Sequence, residues 1–269
     1  DTSSMLARRR KEEGMRQIYA PAPNEPTGDK SVIRARGVRC TLLTGRLLRL
    51  ELSPVDRFED RPSQVVWFRD LPAPEFEISR CGSRTEITTE YLECSWDGET
   101  LSERTASLQI RVKETGAVWR LGTANPANLL GTARTLDNSA GPVELGPGLV
   151  SRAGWAVYDD SQSLVFTEQG ELVSRRAEKD YRDLYFFGHG WDYQAALSDF
   201  ARIAGPTPLI PRWALGNWWS RFWAYSAEEL LNLMDDFAER GIPLSVCVVD
   251  MDWHLTETGN ESTGWTGYT

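Results

Sequence analysis

The spacing of apolar residues changes along this chain of 269 residues. Between residues 31 and 174, short apolar runs alternate with a period of two and are separated by turn residues. After Asp192, apolar residues recur every three or four positions. A period of two is typical of strands and a period of 3.6 is typical of helices. The sequence therefore predicts a first part built of short strands and a last part that contains helices.

The strand signals follow one another closely, with no helical pattern between them. Turn residues such as Gly37, Thr44-Gly45, Asp97-Gly98 and Gln169-Gly170 separate them. The predicted strands occupy residues 32–36, 38–43, 46–52, 76–79, 86–95, 107–112, 163–166 and 171–174. Many short strands at such spacing favour an amino-terminal β-sandwich over a wound α/β sheet. We therefore predict a mostly β fold class.

A helix is predicted where the period changes. Asp192 can cap it, Ala196 and Phe200 lie on its apolar face, and Gly205 ends it. The proline-bounded connector at residues 206–211 then indicates a domain boundary. The predicted domains are a flexible leader (1–30), a β-sandwich (31–190), a helical linker (191–211) and an α/β region (212–269).

The α/β region has the order strand, helix, strand. Residues 213–219 are an apolar run of strand length, and residues 226–229 form a capping box that opens a helix. Gly241 and Pro243 mark the end of that helix. Residues 244–249 are almost continuously apolar, which is typical of a strand covered on both faces. One parallel βαβ unit cannot close a sheet, so we expect the start of a truncated α/β domain.

Composition and charge argue against some classes of binding partner. Thirty basic and 39 acidic residues give a net charge of −9, and such a surface repels nucleic acid. No uncharged apolar run approaches the roughly 20 residues of a membrane helix, so we expect no membrane partner. Four widely spaced cysteines and two histidines argue against structural zinc and favour a reducing compartment, which makes a cytoplasmic location the expectation.

Candidate site residues come directly after the second apolar run. Asp250, Asp252 and His254 alternate, and alternate positions of a strand point to one side. In an α/β barrel such strand ends line the active site. The same three residues could instead hold a divalent metal, and a solvated strand end would need neither explanation.

Tryptophan is concentrated in the same region. Six of the eleven tryptophans fall in the last 57 residues. Sugar rings pack their C–H faces on aromatic planes while their hydroxyls need polar partners, so tryptophans beside carboxylates suit a carbohydrate pocket. We assign Trp223 and Trp253, at the strand ends, to the pocket, and Trp213 with one of Trp218 and Trp219 to the core.

Four segments in this region resemble a known family. They are PLIPRWALG (208–216), SRF (220–222), ERGIP (239–243) and VVDMDW (248–253). In this order they resemble the opening of the catalytic barrel in glycoside hydrolase family 31, the α-glucosidase and α-xylosidase family. The strand-rich region before them resembles the family's galactose-mutarotase-like β-sandwich. The resemblance implies that the last segment is the first βαβ unit of a truncated (β/α)8 barrel.

The family resemblance implies a retaining, exo-acting α-glycosidase that removes terminal α-linked glucose or xylose and needs no cofactor. In such enzymes two carboxyl groups about 5 Å apart act as nucleophile and as acid and base. The family's nucleophile motif, Trp-x-Asp-Met-Asn-Glu, does not occur in this sequence, and Asp250-Met251-Asp252 is not that motif. We therefore assign no catalytic residue and expect the chain alone to be inactive.

The resemblance also implies substrate-binding roles. Asp250 would hydrogen-bond hydroxyls of the terminal sugar, and Asp252 would support it. Pocket walls would be formed by Phe222, Met251 and Trp253. Asp137 would come from a loop of the sandwich to the rim of the site.

The expected partners are an α-linked oligosaccharide, the remainder of the protein's own barrel and, through apolar surface left uncovered, further copies of the chain. Two other functions stay open. One is a carbohydrate-binding β-sandwich module without catalytic activity. The other is a glycosyltransferase that uses a metal held by Asp250 and Asp252.

Overall fold

Strands are the main regular secondary structure in the computed structural model, which describes residues 31–133, 135–175, 180–251 and 253–254. Strands make up 28% and helices 17% of the chain, which confirms the predicted mostly β fold class. The chain divides into two compact units, Asp1–Pro206 and Thr207–Thr269.

The first unit contains twelve described strands and two described helices. They are β1 (Val32–Ala35), β2 (Val38–Leu42), β3 (Leu47–Leu52), β4 (Phe76–Cys81), β5 (Arg84–Thr89), β6 (Leu92–Trp96), α1 (Leu101–Ser107), β7 (Gln109–Val112), β8 (Val118–Arg120), β9 (Ala156–Asp159), β10 (Val165–Phe166), β11 (Leu172–Val173), β12 (Arg182–Phe187) and α2 (Tyr193–Ala204).

Ten of these strands form two five-stranded antiparallel sheets. The first sheet has the order β1-β2-β3-β12-β9 and the second has the order β4-β5-β6-β7-β8. In the first sheet, β12 pairs with β3 along six residues, from Phe187 opposite Leu47 to Arg182 opposite Leu52. The second sheet is a meander, because each strand pairs with the next one along the chain. The predicted hairpin around Gln169-Gly170 is confirmed as β10 and β11.

One apolar core receives side chains from both sheets. Leu48 and Leu50 of β3 and Cys94 and Trp96 of β6 are all buried in it. Within each pair the residues lie two positions apart, as expected for side chains that point to one face of a strand. The period of two in the sequence therefore reports the real inward face of the strands.

The other face of the first sheet is buried as well. Leu47 packs there in a second apolar cluster with Val66, which follows β3, and with Ile203 of α2. The backbone amides of Trp67 and Phe68 both donate to the carbonyl of Ile203, at 2.8 and 2.9 Å. A loop and a helix thus cover this sheet face, which explains why all six residues of β3 are buried.

Charged residues occupy part of the covered face. Arg49 of β3 hydrogen-bonds Asp183 of β12, and Arg175 also bonds that carboxylate. Arg39 of β2 pairs with Glu51 of β3, and both side chains are at most 2% exposed. Burying a charge is costly unless it is paired and hydrogen-bonded, and here each charge has a partner of opposite sign.

Several predicted strand boundaries in the first unit were wrong. The predicted strand 86–95 is two strands, because the chain turns at Glu90 between β5 and β6. Residue 107 belongs to α1, which was not predicted. This helix has only seven residues, too few to show a helical apolar period, and its signal was the capping box in which Thr100 and Glu103 bond reciprocally. Strands β8, β9 and β12 were also missed.

The helix predicted after Asp192 is confirmed. The Asp192 carboxylate accepts a hydrogen bond from the amide of Ala195 at 3.0 Å, and the helix ends before Gly205, whose φ is +92°. Ile203 and Phe200 pack this helix against the first sheet. No helix in the described part of the chain is long and apolar enough to cross a membrane.

The second unit contains a 3-10 helix (Arg212–Leu215), β13 (Trp218–Trp219), α3 (Ala227–Glu239) and β14 (Val246–Cys247). The two strands are parallel, with Trp218 opposite Val246 and Trp219 opposite Cys247. The order strand, helix, strand is as the sequence predicted.

Two details of that prediction were wrong. The run 213–219 is not one strand, because it begins with the 3-10 helix and only Trp218–Trp219 pairs as a strand. Pro211 accepts from Ala214, and Trp213 accepts from Gly216, so this turn is closed by its own backbone. In the second run only Val246–Cys247 is a strand, and Cys247 is half-buried rather than fully buried.

Candidate functional site

The two parallel strands of the second unit end at the same edge. Beyond β13 and β14 the two segments that follow them stay in contact, because the amide of Val248 donates to the carbonyl of Trp219 at 2.9 Å. A further parallel bridge joins Ala224 to Met251. The segments that follow the strands, 220–224 and 248–251, therefore run side by side, and we call them the strand-end edge.

Helix α3 connects the two strands and has a well-formed start. Ser226 accepts from the amide of Glu229 at 3.2 Å, and the Glu229 carboxylate accepts from the amide of Ser226 at 2.8 Å. The ring of Phe237 in α3 meets the ring of Trp219 in β13 edge to face, with 5.2 Å between centroids. The predicted capping box is confirmed, and it starts the helix two residues after the strand-end edge.

Aromatic side chains stand open at this edge. Phe222 is 76% exposed, Trp223 is 51% exposed and Trp253 is 56% exposed. The guanidinium of Arg221 lies over the ring of Trp223, 4.4 Å from its centroid, and Arg221 donates to the hydroxyl of Tyr225 at 3.4 Å. Sequence reasoning did not find this stack, since an arginine two residues from a tryptophan carries no distinctive pattern.

The acidic candidate lies on the neighbouring segment. Asp250 is exposed, and Met251 is half-buried where it bridges to Ala224. Asp252 lies outside the described residues. The structure thus brings Asp250, Met251 and Phe222 to one edge of the two-stranded sheet, and the substrate-binding roles of these residues and of Trp253 stay predictions.

Asp137 belongs to the first unit, in an irregular segment between β8 and β9. Its carboxylate accepts from the hydroxyl of Thr135 at 2.7 Å, and its amide donates to the same hydroxyl at 3.1 Å. Both side chains are exposed. The carboxylate is therefore held in a tight local turn on the surface, and its predicted role at the rim of the site stays a prediction.

Asn128 closes the base of that irregular segment. Its side-chain oxygen accepts from the amides of Leu130 and Gly148, each at 2.8 Å, and its side-chain nitrogen donates to the Gly148 carbonyl at 2.9 Å. An added Cβ on Gly148 would lie 2.3 Å from the carbonyl oxygen of Leu130, so the two arms of the segment are in close contact. No sequence pattern singled out Asn128, because Gly148, its partner in the other arm, lies 20 positions away.

His189 follows β12 and is buried beside α2. It is 3% exposed, and its Nε2 lies 3.0 Å from the carboxylate of Asp199 in α2. Burial raises the pKa of Asp199, but hydrogen bonds from His189 and Thr44 outweigh it and lower that pKa. The structure thus places His189 two residues after the end of β12.

Among the described residues, no group of three His, Cys, Asp or Glu side chains is placed to hold a metal ion. That search does not include Asp252, one of the two aspartates of the metal alternative.

The strand-end edge falls inside a segment that matches a family model. Residues 207–266 match the model described as the glycosyl hydrolases family 31 TIM-barrel domain. The match covers all four segments on which the resemblance was based.

Known proteins agree with this match over a longer stretch. The chain is 29% identical over 168 residues to an α-xylosidase of Saccharolobus solfataricus, which covers 56% of this chain and 22% of that protein. The chain thus spans about a fifth of the length of this curated relative.

Solved structures share the fold. A family 31 α-xylosidase from a soil metagenome, complexed with xylose, matches 84% of this chain and 41% of its own, with a TM-score of 0.56 and 12% identity. A family 31 dextranase of Flavobacterium johnsoniae, complexed with glucose, matches 84% of this chain and 32% of its own, with a TM-score of 0.51 and 16% identity. These findings confirm the resemblance read from residues 208–253: the chain is related to glycoside hydrolase family 31 and spans only part of the length of the family's enzymes.

Proposed function

We propose that this chain is part of a retaining, exo-acting α-glycoside hydrolase that removes terminal α-linked glucose or xylose from oligosaccharides. In this proposal the first unit is the amino-terminal, galactose-mutarotase-like β-sandwich. The second unit is the first βαβ unit of the (β/α)8 catalytic barrel. The observation that carries the proposal is the family 31 match over residues 207–266, which includes Asp250 and the parallel pair β13 and β14.

The geometry of the second unit supports an active-site position for the strand-end edge. In α/β barrels the carboxyl ends of the strands and the loops after them build the active site. Asp250 and Phe222 both lie just beyond the carboxyl end of a parallel strand. A carboxylate and exposed aromatic rings at such an edge are the side chains that a sugar ring needs.

Each proposed residue has a distinct task. Asp250 accepts hydrogen bonds from hydroxyls of the terminal sugar, and Asp252 supports it. Phe222 and Trp253 offer flat apolar surface to the C–H faces of the ring. The Arg221 guanidinium holds the Trp223 ring in place by stacking on one of its faces.

The sugar class follows from the relatives. The curated relative is named as an α-xylosidase, and the two solved structures hold xylose and glucose. We therefore propose a pyranose with an equatorial hydroxyl pattern, xylose or glucose, as the terminal unit. An α-linked oligosaccharide is the proposed substrate.

The catalytic carboxyl pair is not proposed from this chain. A motif of the type Trp-x-Asp-Met-Asn-Glu does not occur in the 269 residues. We therefore expect the chain alone to hydrolyse no aryl α-glycoside.

The test is the substitution Asp250→Asn in the protein that contains this chain together with its full barrel. A hydrogen bond to a charged group contributes about 1.5–3 kcal/mol, so kcat/KM on aryl α-xyloside or α-glucoside should fall about 10- to 150-fold. Asp235→Asn is the matched control, because Asp235 is an exposed carboxylate of α3 in the same unit. It should leave kcat/KM unchanged.

The outcomes separate the alternatives. Unchanged kinetics in Asp250→Asn would remove Asp250 from the site. Binding of maltose or isomaltose with no turnover by the complete protein would favour a carbohydrate-binding module. Loss of activity on adding a chelator would favour the metal-dependent glycosyltransferase.

A further inference from the structure

The second sheet of the first unit has one long free edge. Strand β4 stands at the end of that sheet, and among the described residues β5 is its only hydrogen-bonded neighbour. It has six residues, whereas the other edge strands of the two sheets, β1, β9 and β8, have four, four and three. The side of β4 away from β5 therefore presents a row of backbone donors and acceptors with which another strand can pair.

An apolar side chain is exposed on this edge strand. Ile78 stands opposite Ile87 of β5, and opposite residues of paired strands point to the same face of a sheet. Ile87 is 1% exposed in the core that both sheets share, but Ile78 is 44% exposed. The core-facing side of the sheet is thus covered at β5 and open at β4. An open apolar side chain beside an unpaired edge is the kind of surface that pairs with another strand.

The charges along this edge are separated by sign. Glu75 precedes β4 and Glu77 lies in its first half, whereas Arg80 lies in its second half. A second copy of the strand that paired in parallel would place like charges side by side. A copy that pairs antiparallel places the acidic half of one strand against Arg80 of the other, and opposite charges across paired strands are favourable. The charge pattern therefore favours an antiparallel copy of the same strand.

Twofold symmetry restricts the register of such a pair. The axis must pass between a residue and its own copy, because opposite residues of antiparallel strands point to the same face. An axis at Glu77 or at Arg80 puts like charges opposite each other, and an axis at Ser79 puts an isoleucine opposite an arginine. An axis at Ile78 puts the two exposed isoleucines opposite each other. It also puts each Arg80 opposite Phe76 of the other copy, and a guanidinium beside an aromatic ring is favourable.

We propose that two copies of the protein associate through β4, which pairs antiparallel with its own copy and has Ile78 at the twofold axis. The two five-stranded sheets then form one ten-stranded sheet across the dimer. The proposal does not depend on the glycosidase function. It also differs from association through uncovered apolar surface of the second unit, because β4 belongs to the first unit.

Sedimentation equilibrium of the 269-residue chain tests the association. Two strand edges of six residues bury less than the roughly 1,600 Å² of a typical stable interface, so we expect a dissociation constant of about 10–500 µM. Ile78→Lys puts two like charges opposite each other and should weaken the dimer at least about tenfold. Val118→Lys is the matched control, because Val118 is 37% exposed on β8, the other edge strand of the same sheet. It should leave the dissociation constant unchanged.

Cross-linking tests the register. The background is Cys81→Ser/Cys247→Ser, which removes the exposed and the half-buried thiol. In it, Ile78→Cys puts two thiols directly opposite each other, with Cα atoms about 4.5–5.5 Å apart, within reach of a disulfide. Mild oxidation should therefore give a disulfide-linked dimer. Ser79→Cys in the same background is the control, because its thiol lies diagonal to its own copy, at roughly 7–8 Å, and should give little dimer.

Three results would overturn the proposal. A chain that stays monomeric at every concentration would mean that β4 does not pair with its own copy and would leave a strand of another protein as its partner. Association that Ile78→Lys does not weaken would place the interface elsewhere on the chain. Cross-linking of Ser79→Cys that equals or exceeds that of Ile78→Cys would mean random collision or a different register.

Discussion

Arg49 forms two parallel hydrogen bonds with the carboxylate of Asp183. Nε donates to Oδ1 and Nη2 donates to Oδ2, each at 2.8 Å, across the neighbouring strands β3 and β12. The two side chains are 4% and 0% exposed. Arg175 adds a bond to Oδ2 at 2.7 Å. The carboxylate is therefore fully paired on a sheet face that a loop and α2 cover.

The first prediction concerns the substitution Asp183→Asn. It removes the negative charge and leaves the guanidinium groups of Arg49 and Arg175 buried without this partner. Breaking a buried pair typically costs 3–5 kcal/mol, so the free energy of unfolding should fall by about that amount in urea titrations. Glu93→Gln is the control, because it breaks the exposed pair of Glu93 with Arg111 and should cost less than about 1 kcal/mol. Equal effects of the two substitutions would contradict this account of the buried pair.

The second prediction concerns the loss of stability at low pH. Burial by itself raises the pKa of the Asp183 carboxyl, but the charge and hydrogen bonds of Arg49, with Arg175 and Arg69, lower it to about 2. The unfolded chain has a higher pKa, so the stabilisation is present above about pH 4 and is lost as the pH falls towards 2.

The difference in free energy of unfolding between the natural protein and Asp183→Asn should therefore shrink by about 2 kcal/mol between pH 7 and pH 2. Urea titrations at several pH values measure it. A difference that stays constant over this range would show that Asp183 has an ordinary pKa in the folded protein.

The third prediction concerns the base of the segment that carries Asp137. Asn128→Ala removes two hydrogen bonds between the two arms and a third one to the Leu130 amide, so proteolysis of residues 129–147 under native conditions should become at least several times faster. Asn138→Gly is the control. Asn138 is exposed in the same segment with φ of +58°, a conformation that glycine adopts readily. Cleavage at the same rate in both variants would mean that Asn128 does not hold the segment closed.

The fourth prediction concerns the start of α3. Ser226→Ala removes the side-chain acceptor of the capping box and should destabilise the helix by about 1 kcal/mol. Amide hydrogen exchange in the first turn of α3 should rise about fivefold. Ser226→Asn, which restores a capping oxygen, should return exchange close to the natural rate. If Ser226→Asn exchanges as fast as Ser226→Ala, the cap is not what holds this helix end.

Local patterns predicted a good part of the fold. The period of two around Leu48 and Leu50 identified an inward strand face, and Asp192 and Ser226 identified two helix starts. These signals involve neighbours in the sequence, so they can be recognised without knowledge of the tertiary structure. Trp213 shows the limit, because its apolar surroundings indicated a strand where Pro211 and Gly216 close a 3-10 turn.

The candidate site was predictable to the same extent. Asp250 and Trp253 were singled out because they follow an apolar run and carry the chemistry that sugars need, whereas Phe222 was singled out by the family resemblance. The stack of Arg221 on Trp223 and the bonds of Asn128 were not, since no spacing distinguishes them from ordinary surface residues.

The sequence by itself determined most of the strands, the two longer helices with their caps at Asp192 and Ser226, and which acidic and aromatic residues follow the parallel strands. Only the tertiary structure decided that Arg49 meets Asp183, 134 positions away. The physical reason is that periodicity and capping arise from interactions within a few residues. The burial of a charge or a thiol depends instead on which distant segment comes to cover it.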